Sequence, residues 1–204
     1  MLPAANLAKL SLGTIALSRE PNKGEPEIGV VNPLTKEQAA PELHETFEKL
    51  AARGGKVPNI FAAMAHRPAV LRTFLPLYKA IVNEGSVEPK YKELAYLRAS
   101  MVNGCEYCTR AHIASSKRAG VSAEQVAALP FYLRSELFDE KEKATILYAD
   151  RVTRGVAGIR GTALQELRKF YDEGQIVELT LVICTANFTN RFNDALENVP
   201  DLGV

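Results

Sequence analysis

Residues 103–112 read NGCEYCTRAH, and three of them, Cys105, Cys108 and His112, carry the chemistry most open to inference. An Asn-Gly stop ahead of Cys105 puts both cysteines at the start of a helix, with Cys108 in its first turn. Free amides and the helix dipole favour an anion there, and the thiolate is the form of cysteine that attacks. The two-residue gap lets the sulfurs approach closely enough for a disulfide. His112 falls four residues after Cys108, on the same helical face, and can take or give a proton near neutral pH. Glu93 lies on the preceding helical stretch, where a helix–turn–helix would fold it back over the pair.

These parts define a chemistry. A low-pKa thiolate attacks the distal oxygen of a peroxide and becomes a sulfenic acid, which a neighbouring thiol condenses into a disulfide. The leaving alkoxide needs a proton, and Glu93 and His112 are placed to relay one. An external dithiol must then reduce the disulfide; no bound cofactor is expected. The same four side chains are also ligands of acceptable type for zinc, which would make the chain a non-catalytic, zinc-stabilised helical domain. Against that stand the lack of a second C-x-x-C and the rarity of carboxylates in structural zinc sites. Tyr107 is expected as a packed wall. Asn190, Arg191 and Asn193 either line a pocket opposite the cysteines or satisfy helix-end backbone groups. Cys184 reads as a buried small hydrophobe, and His44 and His66 have no partner pattern.

The elements that must position these residues read as helices. Leu71, Phe74, Leu75, Tyr78, Ile81 and Val82 follow helical spacing, with Pro76 expected to kink or restart the helix. A further helix should open at Pro89 and stop at Asn103-Gly104. Ser122 with Gln125, Asp139 with Glu142, and Thr162 with Gln165 read as capping boxes. No hairpin signal and no sustained alternation is present. The stretch 92–112 can be laid over 177–197, so that Glu93 meets Glu178, Cys105 meets Asn190 and Cys108 meets Asn193. Upstream, LYKAIV (77–82) resembles LYADRV (147–152). One helical unit present twice, as two similar hairpins with the chemistry kept in the first, is expected.

The totals frame this reading. The 204 residues are enough for one sizeable core, and 47% are hydrophobic. A formal net charge of +1, from 25 basic and 24 acidic residues, gives no reason to expect nucleic acid or an anionic membrane as partner. No apolar run reaches a membrane span, and the first residues lack a basic segment ahead of their apolar part, so a cytoplasmic protein is expected. Three cysteines are too few for a disulfide scaffold. The Pro/Gly-rich stretch 20–33 closes an N-terminal arm, 1–33. The remainder, 34–204, reads as a single all-α domain with a cysteine-bearing first half (about 58–120) and a degenerate second repeat (about 139–197).

The spacing Glu93, Cys105, Cys108, His112, written E-x11-C-x2-C-x3-H, resembles the alkyl hydroperoxidase D core of the carboxymuconolactone decarboxylase-like family. The similarity is strongest over about 58–120, from VPNIFAAMAHRPAVL onward. The second half resembles the longer, peroxidase-related members. The resemblance implies an all-α helical bundle, a homo-oligomer and an antioxidant oxidoreductase. It assigns Cys108 as the peroxide-attacking sulfur, Cys105 as its resolving partner and proton donor, and Glu93 with His112 as the relay. Small-molecule hydroperoxides are the implied substrates, with a dithiol or lipoyl-type protein as reductant. Where the best-known members carry a histidine before the second cysteine, this chain has Tyr107, which implies an altered relay. A decarboxylase-like lyase using Glu93 and His112 is the alternative within the family, although its true decarboxylases lack the cysteine pair.

Overall fold

The computed structural model describes residues 29–155 and 159–201, so most of the expected N-terminal arm lies outside the described residues. Among those described, every regular element is helical. A short 3-10 turn, Pro41–Leu43, leads into α1 (His44–Gly54). There follow α2 (Asn59–Met64), α3 (Pro68–Asn83), α4 (Pro89–Asn103), α5 (Glu106–Arg118), α6 (Ala123–Ala128), α7 (Glu140–Arg154), α8 (Leu164–Leu167) and α9 (Glu173–Ala195).

Helix α4 is the axis of the fold. Leu94, Ala95, Leu97 and Ala99 are all fully buried, because α5, α7 and α9 cover the helix on several sides. Its charged residues are paired inside the bundle, Lys92 with Glu178, Glu93 with His112 and Arg98 with Asp150. Leu94 and Leu97 meet Leu129 and Ile146, while Ala95, Tyr96 and Ala99 meet Leu179, Val182 and Ile183 of α9. A third cluster, around Leu43, Phe47, Phe61 and Leu71, closes over the two cysteines.

The helix boundaries follow local chemistry. Pro89 occupies the first turn of α4, and Gly104 ends it at φ 74°, a left-handed conformation that costs glycine little. The capping boxes at Ser122/Gln125 and Asp139/Glu142 form as expected. The expected box at Thr162/Gln165 does not: α8 starts after Ala163 with no side-chain cap, and the third box is Asp172/Gln175, opening α9. Helix α3 continues through Pro76 without ending there. Pro76 and Arg72 both face solvent, so water can satisfy the carbonyl that the missing N–H leaves free.

The two similar segments fold differently in one respect. The first breaks at Gly104, but the matching position in the second is Thr189, and α9 continues unbroken for 23 residues. With no residue to take the left-handed turn, the expected second hairpin becomes one long helix. The repeated glutamates also differ in use. Glu178 accepts the Ser86 and Val87 amides at 2.9 and 3.1 Å and pairs with buried Lys92 at 2.5 Å, fixing the α3–α4 loop. Gly85 in that loop has φ 109°, and a Cβ there would lie 2.3 Å from the Glu178 carboxylate. Glu93 is left for the site.

Candidate active site

The Gly104 stop makes Cys105 the N-cap of α5, and its sulfur accepts the Cys108 amide at 3.4 Å. Both sulfurs thus sit at one helix start, in the buried cluster beneath α1–α3. Cys105 is fully buried, whereas Cys108 lines a cavity of about 560 Å³. The helix amide expected to favour a Cys108 thiolate goes instead to Cys105.

Other donors act on Cys108. Its thiol is lowered to about 7, chiefly by a hydrogen bond from Cys105; burial opposes this, and the amides of Asn190 and Asn193 and the charge of His112 add to it. Cys105 is pushed far up because it donates to Cys108 and is buried. The Asn193 Nδ2 lies 3.1 Å from the Cys108 sulfur, and its own Oδ1 accepts from Asn198 Nδ2 at 2.9 Å, which fixes the amide's orientation. Removing this donor disfavours the charged form, so Asn193→Ala should move the Cys108 titration upward. A hydrogen bond to a charged group is worth about 1.5–3 kcal/mol, which corresponds to about one pH unit or more. Alkylation rate against pH checks this: the wild-type curve should have its midpoint near 7, and the variant's should lie to its alkaline side.

Glu93 of α4 and His112 of α5 meet at 2.8 Å, Oε2 to Nδ1. The carboxylate can only accept, so Nδ1 donates and Nε2 is left for the cavity. The face of His112 rests on the Tyr96 ring, with centroids 3.5 Å apart and planes within 15°. Ile60, Phe61, Tyr78, Tyr96 and Tyr107 supply apolar wall, and Lys56, Arg110 and Arg118 the charged rim. The Tyr107 hydroxyl donates to Asp201 and accepts the Ile60 amide at 3.2 Å. Burial first, then the Asp201 carboxylate, raises its phenol well above the ordinary value, so it acts as wall and tether. Asp201 also binds the Asn59 amide at 3.2 Å and Lys56 at 3.0 Å, tying the tail after α9 across the cavity's edge.

Of the residues singled out from sequence, Glu93, Tyr107, Cys108, His112 and Asn193 line the cavity, and Cys105 lies behind Cys108. Asn190 is fully buried outside it, donating to Ser100 Oγ at 3.1 Å and accepting from Asn103 at 2.8 Å. Arg191 does not reach the site. It is exposed, and its guanidinium turns back to the Asn187 side chain at 2.9 Å, because one helical step carries it off the face that Asn190 and Asn193 share. Cys184 is exposed rather than buried, since α9 buries 179, 182, 183 and 186 and leaves 184 on the opposite side. Tyr78, Tyr96, Thr189 and Asp201 also line the cavity and were not expected as site residues. Tyr96, three residues after Glu93, carried a signal in its spacing; Asp201 carried none. Among the described residues no group of three or more His, Cys, Asp or Glu side chains converges as a metal site, and no helix is long and apolar enough to cross a membrane.

Comparison with known proteins bears on this geometry. Residues 68–151 match the family model described as Carboxymuconolactone decarboxylase family. The uncharacterized protein YdfG of Bacillus subtilis (strain 168) is 26% identical over 116 residues, covering 56% of this chain and 79% of YdfG. Among solved structures, a peroxidase-related protein of Ralstonia eutropha JMP134, described as an alkylhydroperoxidase AhpD core, superposes with a TM-score of 0.74. It is 20% identical, and the match covers 87% of this chain and 95% of that one. The debrominase Bmp8, as a cysteine-to-alanine variant in complex with 2,3,4-tribromopyrrole, gives 0.73 at 22% identity, covering 89% and 95%.

Proposed function

The chain belongs to the carboxymuconolactone decarboxylase/AhpD-like family, and from that premise we propose that it reduces organic hydroperoxides with the Cys108–Cys105 pair. One observation carries the reading. The lowered thiol of Cys108 faces a cavity whose wall also bears the Glu93–His112 pair, with Cys105 directly behind it. The Cys108 thiolate attacks the terminal peroxide oxygen and the O–O bond breaks. Cys108 becomes a sulfenic acid, and the alkoxide leaves as an alcohol with a proton delivered from His112. The Cys105 thiol then attacks the sulfenic sulfur, water departs, and a disulfide remains. An external dithiol, free or as a lipoyl-type group on a protein, returns both cysteines to thiols and is itself oxidised to a disulfide.

The aromatic walls favour a peroxide with an apolar body. With dithiothreitol as reductant, cumene hydroperoxide should therefore be consumed with a higher kcat/KM than hydrogen peroxide, and the advantage should shrink in Phe61→Ala. Burying such a group is worth about 1.5–3 kcal/mol, an advantage on the order of ten-fold or more. Equal rates with both peroxides would remove the organic substrate, and no consumption of either would remove the reading. The same flat walls favour a second substrate class, halogenated aromatics, whose C–Br bond two thiols can reduce to C–H with release of bromide and a proton. Bromide release from 2,3,4-tribromopyrrole tests it.

Self-association belongs to the same proposal. Val177, Leu181 and Phe188 on α9 and Leu77 on α3 are each about half exposed and lie on the outer sides of two helices in contact. Sedimentation at micromolar concentration should give a homo-oligomer. A 22.3 kDa monomer would contradict it.

A further inference from the structure

We propose that Tyr96 is a positioning residue for His112: its ring face holds the imidazole against Glu93 and stabilises it while it carries the proton for the leaving oxygen. The assignment rests on the peroxide-reducing reading of the site.

Three observations carry it. Glu93 and Tyr96 are three residues apart on α4, so one rigid helix supplies both the carboxylate at the edge of the imidazole and the ring beneath its face. The stack is unusually close and parallel, at 3.5 Å and 15°. Neutral aromatic pairs prefer offset or edge-on packing with centroids about 4.5–7 Å apart. A cation over a tyrosine face is attracted by the ring's quadrupole, and histidine becomes such a cation each time it takes up the proton it will deliver. Finally, the ring is itself pinned. Tyr96 is buried, and its hydroxyl meets Thr189 Oγ1 at 2.5 Å. The Thr189 hydroxyl sits within 3.0 Å of the Thr185 and Ala186 carbonyls of α9. Burial holds the phenol neutral far above the ordinary range, so Tyr96 offers a face rather than a proton. Thr189 is the residue that stands where the first segment has Gly104. The unbroken α9 therefore supplies the anchor that holds the ring.

The test compares Tyr96→Leu with Tyr96→Phe in the full chain by three readouts. The first is oxidation of Cys108 by cumene hydroperoxide, which needs a proton for the alkoxide. The second is alkylation of Cys108 by iodoacetamide, which needs only the thiolate because iodide leaves unprotonated. The third is the downfield proton resonance of the His112 Nδ1–H. His112 is the weakest of the leading influences on the Cys108 thiol, so alkylation should respond little. Tyr96→Leu should slow peroxide oxidation about ten-fold or more, change alkylation by less than about two-fold, and lose the resonance to exchange with water. Tyr96→Phe keeps the face and should recover the larger part of the rate and the resonance. Equal loss of both reactions in Tyr96→Leu, an unaltered peroxide rate, or a Phe variant as impaired as the Leu variant overturns the proposal. Should the Leu variant not fold, Tyr96→Met takes its place with the same outcomes. If the wild type fails to react with peroxide yet its resonance depends on the ring as described, the peroxide reading falls and the positioning role stands. If peroxide reacts and the resonance survives in Tyr96→Leu, the positioning role falls alone.

Discussion

Cys108→Ser is expected to abolish hydroperoxide consumption. A serine hydroxyl is not ionised at neutral pH and forms no sulfenic acid, whereas the Cys108 thiol, lowered to about 7, is about half thiolate there. Cys105→Ser should give a different lesion. Cys108 still has the Asn193 amide at 3.1 Å and should still attack, but no thiol remains behind it to resolve the product. The sulfenic acid should persist on Cys108 and be captured by dimedone. A serine hydroxyl can still donate the hydrogen bond by which Cys105 lowers the Cys108 thiol, so the alkylation curve should shift little. A Cys108→Ser protein that still turns over peroxide would remove the thiol mechanism.

The second large effect is expected from Glu93→Gln. The carboxylate holds His112, which lines the cavity, through Nδ1 at 2.8 Å and leaves Nε2 free of that contact. An amide fits the same space but carries no charge to balance the imidazolium. General acid–base steps are typically worth about 10²–10⁴-fold, so peroxide turnover should fall by about 10²-fold or more. Iodoacetamide alkylation of Cys108 should change little. The comparison also separates the peroxide reading from a decarboxylase-like lyase built on Glu93 and His112. A lyase would survive both cysteine replacements and lose activity in the Glu93 and His112 variants.

The helical architecture and the centre of the site were legible in the sequence because both rest on short-range rules. Pro89, the Asn103-Gly104 stop and two of three capping boxes mark their helix ends locally. The four-residue spacing fixed the register by which Glu93 and His112 meet across one turn. What could not be read depends on how α9 lies against α4 and α5. The Tyr96–Thr189 and Cys108–Asn193 contacts join residues 93 and 85 positions apart. Which face of α9 is buried decided the placement of Arg191 and Cys184, and a segment apolar on several sides does not announce that face. The second hairpin failed for a local reason, Thr189 in the place of Gly104, that was visible in the aligned segments. Asp201 binds Tyr107 and Asn59 through a tail whose path no periodicity encodes.

The central claim, that Cys108 and Cys105 form a redox pair driven by peroxide, is tested most directly by intact-protein mass spectrometry. The fully reduced wild type is treated with one equivalent of cumene hydroperoxide and then with iodoacetamide under denaturing conditions. The account predicts that the chain loses the mass of two hydrogen atoms, that Cys105 and Cys108 both escape alkylation, and that only Cys184 is labelled. An unchanged mass with all three cysteines labelled would contradict it.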